Sequence, residues 1–155
     1  MAIISKINLI EQPEQHVLSI RTTIPFIDYP NTAKQVYERI MEYAELNDQL
    51  LSSGPFVCYH NTDLDNLDVE MGFPVAKTVS GNDDISGYTI PAQKAVSGIF
   101  LGAYEDTDPL MFEIIRWIKE HGYEQQGNIY NYYLNDENRN ANELLTQIVV
   151  PIKLV

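Results

Sequence analysis

Glu70 is the residue whose type and position are best suited to chemistry, because it lies between Val69 and Met71 in a largely apolar segment. Alternation along a strand puts Glu70 on the side opposite those two residues, together with Asp68. A carboxylate about 4 Å from a bound cation gains roughly 4 kcal/mol at an effective dielectric near 20, before desolvation costs. Glu70 is therefore the candidate carboxylate of a cation-binding site, with Glu124 as the second candidate. A solvated strand face would show the same alternation, so both interpretations stay open.

Aromatic residues form the second group with binding potential: the chain has ten tyrosines, five phenylalanines and one tryptophan. Three tyrosines fall within residues 130–133, where alternation puts Asn131 and Tyr133 on one strand face and the other two tyrosines on the opposite face. One face must belong to the core, whereas the other could line a pocket for flat organic molecules. Trp117 lies in the middle of a predicted helix, where core packing and stacking on a ligand are both open.

The histidines and the single cysteine do not form a metal-binding motif in the linear sequence. His16, His60 and His121 lack the spacing of zinc ligands, so zinc is not expected. Cys58 lies in an apolar, strand-like run and is predicted to be a buried structural thiol. The sequence also lacks a glycine-rich phosphate loop and a nucleophile elbow. We therefore expect no metal, no cofactor and no catalytic residue.

Charge and composition narrow the function classes further. The chain carries a net charge of −12 over 155 residues, which would repel the phosphates of DNA or RNA, so direct nucleic-acid binding is not expected. No apolar run approaches the roughly 20 residues of a membrane helix, and the first residues do not read as a signal peptide. One cysteine allows no internal disulfide, which fits a reducing compartment. These features predict a cytoplasmic protein without a membrane segment.

The elements that must position these residues follow an internal repeat. Residues 13–19 match residues 91–97 at an offset of 78, with proline, glutamine and serine in common. Further along, residues 54–59 match residues 127–132, and both strands follow a glycine. A repeat of this length is a supersecondary unit. Two such units would bury their apolar faces against each other, and their joint is the natural place for a ligand cleft.

Each copy of the repeat has the same predicted order of elements, in a single domain made of residues 1–80 and 85–155. Helices are predicted over 31–50 and 109–121, from apolar residues at helical spacing. The fold class is α+β, with antiparallel strands and the helices on one side. The predicted strands cover residues 7–10, 15–24, 56–59, 69–79, 87–90, 93–101, 129–134 and 144–154.

The order of these motifs resembles the gyrase-inhibitor-like effector-binding domain over nearly the whole chain. The most specific stretches are residues 68–75 and 130–136. The family includes the ligand-sensing domains of AraC-type and MerR-type multidrug regulators, and some stand-alone proteins. The resemblance implies two βαββ units related by a pseudo-twofold axis, with a central ligand cleft. It also implies binding of lipophilic cations in an aromatic pocket that contains a carboxylate.

Asn131 departs from the family pattern, which commonly has glutamate two residues before the tyrosine of the late strand. Some members resemble hydrolases that depend on that glutamate, and an amide cannot serve as a general base. We therefore predict a stand-alone binding protein for amphipathic, cationic small molecules. The alternatives are a hydrolase of reactive lipophilic compounds and an inhibitor-like subunit that binds a protein partner. The predicted ligand-binding residues are Tyr59, Glu70, Tyr104, Trp117, Asn131 and Tyr133.

Overall fold

The structure is a computed structural model that describes residues 2–155. These residues divide into two compact units. The Glu70 unit comprises Glu14–Pro91, and the Trp117 unit comprises residues 2–13 together with Ala92–Val155. Each unit combines one long helix with strands that pair in antiparallel fashion. The predicted α+β class is confirmed.

The described residues form ten strands and two α-helices, numbered here in chain order. The helices are α1 (Tyr29–Leu46) and α2 (Asp108–Glu120). The strands are β1 (Ala2–Ile3), β2 (Asn8–Gln12), β3 (Gln15–Ile24), β4 (Phe56–Tyr59), β5 (Leu67–Val75), β6 (Ser86–Ile90), β7 (Gln93–Leu101), β8 (Tyr123–Gln125), β9 (Ile129–Tyr133) and β10 (Leu145–Leu154).

The Glu70 unit has the strand order β4-β5-β3-β6, and α1 covers one face of its sheet. On β5, Met71 and Phe73 lie on the helix side, where the Phe73 ring meets the Tyr37 ring of α1 at 5.4 Å between centroids. Glu70 and Gly72 alternate with these residues and therefore lie on the opposite face. The buried residues of α1 recur at helical spacing and are Ala33, Val36, Ile40 and Ala44.

The Trp117 unit is built around the pair β7–β10. Strands β1 and β2 pair with one edge of β7, and β9 and β8 pair with the far edge of β10. Helix α2 packs on this sheet through an apolar cluster, which supplies the hydrophobic stabilisation of the unit. The buried members of the cluster are Val96, Phe100, Leu110, Ile114, Ile118, Ile148, Val150 and Ile152.

The two copies of the sequence repeat exchange their first strands. Strand β2 belongs to the first copy but pairs with β7, and β6 belongs to the second copy but pairs with β3. The registers correspond, because Asn8 lies opposite Ser97 and Ser86 lies opposite Ser19. Each compact unit is thus completed by a strand from the other copy.

The chain passes from one unit to the other directly after Pro13 and again after Pro91, the two prolines that match in the repeat. Proline lacks an N–H for a strand ladder, so it suits the point where a strand ends and the chain changes direction. The compact units therefore differ from the sequence copies, residues 1–80 and 85–155, in the placement of the first strands.

Both predicted helices are present with shifted ends. Helix α1 ends well before the predicted limit of 31–50, because the backbone turns left-handed at Asp48, with φ of 53°. Helix α2 begins and ends one residue before the predicted 109–121, and Gly122 follows it with φ of 78°, the usual glycine stop. No helix among residues 2–155 combines the length and the apolar character needed to cross a bilayer.

Three of the strand predictions match the structure to the residue. The spans 15–24, 56–59 and 93–101 coincide with β3, β4 and β7. The predicted span 69–79 is wrong at its C-terminal end, since β5 ends at Val75. Strands β1 and β8 escaped prediction because two or three residues are too few to show an alternating pattern.

Gly72 provides a test of how closely β5 and β3 approach. A Cβ at Gly72 would lie 2.3 Å from the Leu18 carbonyl oxygen and 2.8 Å from Ser19 Cβ, both on β3. Removing these steric clashes requires β5 and β3 to separate. We therefore expect Gly72→Ala to lower the free energy of unfolding, measured by denaturant titration, by about 1–3 kcal/mol.

Gly98→Ala is the matched comparison for that experiment. A Cβ at Gly98 would lie 2.6 Å from Leu110 Cδ1 and 2.8 Å from Ile7 Cδ1, which are side-chain ends and shift more easily than the backbone of a paired strand. We expect Gly98→Ala to lower the free energy of unfolding clearly less than Gly72→Ala does. Equal losses for the two variants would mean that the backbone contact at Gly72 is not the cause.

Candidate functional site

The carboxylate of Glu70 is the centre of a buried polar cluster. Glu70 retains only 6% of its surface exposed. Ser19 Oγ donates a hydrogen bond to Glu70 Oε2 at 2.6 Å, and the Tyr88 hydroxyl donates a second bond to the same oxygen. His60 Nε2 lies 3.0 Å from Glu70 Oε1. Both carboxylate oxygens are therefore engaged by side chains from three different segments.

The strand register brings the two hydroxyl donors to Glu70. On β3, Ser19 lies opposite Gly72 of β5, two positions beyond Glu70. On β6, Ser86 lies opposite Ser19, and Tyr88 follows two positions later. Since residues two apart on a strand share a face, Ser19, Tyr88 and Glu70 all lie on the face away from α1.

Cys58 and His60 join the cluster from β4 and its end. Cys58 lies opposite Glu70 in the β4–β5 register. The His60 N–H donates to the Asp68 carbonyl oxygen at 2.8 Å, which extends the ladder by one residue and keeps His60 on the same face as Cys58. The Cys58 sulfur, an imidazole nitrogen of His60 and a carboxylate oxygen of Glu70 lie within 4.8 Å of one another.

Arg21 is the cationic side chain that the register places across from Glu70. Its guanidinium binds the Asp68 carboxylate instead, through two hydrogen bonds of 2.8 and 2.7 Å. These bonds hold the pKa of Asp68 below its usual range. Because Arg21 is engaged by Asp68, the described hydrogen bonds of Glu70 are those with Ser19, Tyr88 and His60.

The Tyr88 phenol is a neutral donor across the physiological range. Burial raises the pKa of Tyr88 far above its ordinary value, and the hydrogen bond to Glu70 and the charge of that carboxylate raise it further. The Tyr88 hydroxyl donates to Glu70 Oε2, and a hydrogen bond to a carboxylate is stronger than one to a neutral group.

The predicted site residue Tyr59 lies on the other side of the sheet from Glu70. It follows Cys58 directly on β4, so its ring points toward α1, where the Tyr29 ring lies 6.4 Å away. Burial raises the pKa of Tyr59, and a hydrogen bond with Tyr29 partly offsets that rise. Within this unit, Tyr59 and Glu70 therefore do not share a face.

Three other predicted residues lie in the Trp117 unit. The rings of Tyr104 and Tyr133 meet at 4.6 Å between centroids. Burial raises the pKa of Tyr104, and the nearby acids Glu137 and Asp136 add to the rise. Asn131 precedes Tyr133 by two positions on β9 and lies on the same face. Among residues 2–155, the buried Asn131 Oδ1 accepts no hydrogen bond.

Trp117 and Glu124 have positions that favour structural roles. Trp117 packs against the apolar cluster of α2, and its ring stacks on His121 at 3.9 Å and on Tyr123 at 6.0 Å. The Glu124 side chain is 51% exposed and lies 3.5 Å from the Lys153 ammonium. Glu124, the second carboxylate candidate, is thus far more hydrated than Glu70.

The sequence reasoning missed Ser19, His60, Cys58 and Tyr88 as partners of Glu70. The available signal was the alternation of Cys58 and His60, which puts both on one strand face. The pairing of β4 with β5 and of β3 with β6 was not predicted in register, and only that register joins them to Glu70.

An open depression of about 590 Å³ lies beside the start of α2 in the Trp117 unit. Its carboxylates are exposed to water, so their attraction for a cation is strongly screened. The depression is a weaker candidate than the buried Glu70 cluster. Its lining residues are Ile3, Phe100, Glu105, Asp106, Asp108 and Pro109.

The raised pKa of Tyr88 predicts a specific alkaline behaviour. Because the folded-state pKa lies above the unfolded one, the stabilisation is complete below about pH 10 and falls as pH rises past it. In folded protein, tyrosinate absorbance near that pH should be equal for wild type and Tyr88→Phe. In denaturant the two should differ by one tyrosine. A native ionisation near pH 10 that disappears in Tyr88→Phe would contradict the assignment.

Comparison with solved structures identifies several proteins of the same fold. The crystal structure of the EcmrR C-terminal domain has a TM-score of 0.86 and 24% identity, covering 99% of this chain and 100% of that chain. EcmrR in the EcmrR–DNA complex within EcmrR-RPo has a TM-score of 0.85 and 24% identity, covering 97% of this chain. This chain spans 58% of that EcmrR chain.

Two more distant structures share the fold. A hydrolase from Listeria innocua has a TM-score of 0.71 at 11% identity, covering 98% of this chain and 94% of that chain. SAV2435 bound to tetraphenylphosphonium has a TM-score of 0.61 at 14% identity, covering 96% and 94%.

In sequence, no curated protein matches this chain. The model of the GyrI-like small molecule binding domain, however, matches residues 5–153. That match covers nearly the whole chain and confirms the resemblance seen in the motifs. The chain therefore belongs to the family of GyrI-like small molecule binding domains.

Proposed function

We propose that this GyrI-like domain binds amphipathic organic cations and that the Glu70 carboxylate supplies the attracting charge. The observation that carries the proposal is the cluster itself. Ser19, Tyr88 and His60 hold both oxygens of a buried carboxylate on the sheet face away from the helix. Such an arrangement fixes the direction of the charge before a ligand arrives, which lowers the cost of ordering the site on binding.

Burial makes this carboxylate more effective than the many acids on the surface. At the lower effective dielectric of a partly buried site, one carboxylate about 4 Å from a cation gains roughly 4 kcal/mol before desolvation, against about 1 kcal/mol in bulk water. Two charge-assisted hydrogen bonds from Ser19 and Tyr88 keep Glu70 in place. The overall charge of −12 adds long-range attraction for cations.

A related structure indicates the ligand class. SAV2435 was solved bound to tetraphenylphosphonium, a cation whose charge is surrounded by four phenyl rings. Its fold is shared with this chain. We transfer this ligand class to the present chain as part of the proposal. The acidic surface also supports a binding module that does not itself contact nucleic acid, and the single cysteine, Cys58, which allows no internal disulfide, fits a cytoplasmic location.

We assign supporting roles to the other predicted residues according to their positions. Tyr104 and Tyr133 form an aromatic pair that could contact a flat ligand, and Asn131 Oδ1, which accepts no hydrogen bond within residues 2–155, offers an acceptor. Tyr59 and Trp117 pack within their own units, so we expect them to influence binding mainly through stability.

The decisive variant is Glu70→Gln, because it removes the charge and keeps the shape. The amide oxygen can still accept from Ser19 and Tyr88, while the amide NH₂ faces His60. We expect the affinity for tetraphenylphosphonium, measured by calorimetry at moderate salt, to fall by about 1–3 kcal/mol. Affinity for triphenylphosphine oxide, a neutral molecule with the same aromatic rings, should barely change.

Glu124→Gln serves as the matched control, since it makes the same change of charge at an exposed position. Its effect on tetraphenylphosphonium affinity should be small and should vanish as salt is added. If both variants lose affinity equally, the overall charge of the chain is responsible, and the role proposed for Glu70 is wrong.

A hydrolase is the second candidate, because a hydrolase from Listeria innocua shares the fold. Asn131 argues against it, since an amide cannot accept a proton as a general base. We expect activated aryl esters to be hydrolysed no faster than in buffer. Turnover that is lost in Glu70→Gln would establish an enzyme instead.

A protein-binding inhibitor is the other alternative. Such a protein would bind a protein partner in stoichiometric amount, and Glu70→Gln would leave that binding unaffected.

A further inference from the structure

We propose that Cys58, His60 and Glu70 form a three-ligand zinc site in the Glu70 unit. Their ligand atoms, one sulfur, one nitrogen and one oxygen, lie within 4.8 Å of one another. This inference does not depend on the proposed binding of organic cations. It also revises the expectation that the histidine spacing leaves no place for a metal.

The chemistry of the three donors favours zinc over the common hard cations. Thiolate and imidazole are ligands for Zn²⁺ and its neighbours among the transition metals, whereas Mg²⁺ and Ca²⁺ prefer oxygen alone. A thiolate from Cys58 and a carboxylate from Glu70 would together balance the two charges of the ion. Three protein ligands leave a fourth position for water or another small ligand, as in zinc sites with an open position.

The strand register holds the three side chains in place. Cys58 and Glu70 lie directly opposite each other on β4 and β5. The backbone bond from His60 to Asp68 keeps the imidazole on the same face. His60 Nε2 and Glu70 Oε1 are already 3.0 Å apart. In a tetrahedral zinc site the donors would be about 3.3–3.6 Å apart, so small side-chain rotations suffice to enclose the ion.

The two carboxylate oxygens of Glu70 have different roles in the proposed site: hydrogen bonds hold Oε2, and Oε1 would bind the metal ion. Ser19 and Tyr88 both donate to Oε2, which leaves Oε1 directed toward His60. Outer hydrogen bonds of this kind orient a ligating carboxylate and commonly affect metal affinity 10–100-fold. Arg21, the nearest cationic side chain in the register, is held by Asp68 and not by Glu70.

The ion can enter from the side of His60. Cys58 is fully buried, whereas the His60 side chain keeps 15% of its surface exposed. Rotation of this imidazole would open the cluster without unfolding a strand. His60 would therefore meet the ion first and Cys58 would bind it last.

Titration of the wild-type chain with Co²⁺ tests the proposal, because Co²⁺ takes the geometry of zinc and reports a thiolate ligand by charge-transfer absorbance. We expect one equivalent to bind with a thiolate band, and Zn²⁺ to displace it. Cys58→Ser should abolish the band and weaken Zn²⁺ binding by about ten-fold or more, measured against a chromophoric chelator.

Two further variants keep the test decisive. His60→Gln should also weaken Zn²⁺ binding about ten-fold or more, and it changes a residue at the edge of the cluster, so it serves if Cys58→Ser does not fold. His121→Gln removes an exposed imidazole elsewhere and should leave binding unchanged. Absence of binding, or binding of Co²⁺ without a thiolate band, would overturn the site.

The zinc site and the organic-cation site can be separated experimentally, although both use Glu70. Cys58→Ser should weaken zinc binding and abolish the thiolate band, and it should lower the affinity for tetraphenylphosphonium much less than Glu70→Gln does. Glu70→Gln should lose both. If the wild type binds zinc with a thiolate band but does not bind tetraphenylphosphonium, the zinc site stands and the proposed function fails. If the wild type binds tetraphenylphosphonium but shows no thiolate band with Co²⁺, the zinc site is rejected and the proposed function stands.

Discussion

A carboxylate can be buried in a protein only if hydrogen-bond donors replace the water that it loses, and this requirement governs the Glu70 unit. Its hydrogen-bond partners come from β3, β6 and the end of β4, so β3 and β4 must pair with β5, and β6 with β3, in one particular register. A slip of one residue in any of these pairs would turn the donor to the opposite face and leave the charge unpaired. The polar cluster therefore specifies the sheet as much as the sheet positions the cluster.

The duplicated scaffold carries different chemistry in its two copies. Glu70 lies two positions before Gly72, which pairs with Ser19; in the other unit Gln147 lies two positions before Val149, which pairs with Ser97. A carboxylate in one unit thus corresponds to an amide in the other. Duplication preserved the backbone pairing, which depends on main-chain groups, while the side chains on the face were free to diverge.

Much of the fold could be predicted from the sequence because local patterns determine it. Long β-rich runs defined β3 and β7 to the residue, and helical spacing located α1 and α2 within a few residues. The exchange of β2 and β6 could not be predicted in this way. A strand of either copy has the same pattern whether it pairs within its own copy or with the other, so the choice depends on tertiary packing.

The sequence alone determined the family and the α+β class, and it singled out Glu70 as an acid among apolar neighbours. The tertiary structure decided which side chains surround it. Cys58 and His60 precede Glu70 by about ten residues, and Ser19 precedes it by far more. All three become neighbours of Glu70 only through strand pairing. The same pairing separated Tyr59 from Glu70, although both belong to adjacent strands. Alternation reveals that a side chain faces one side of its own strand, but only the register between strands reveals what it meets there.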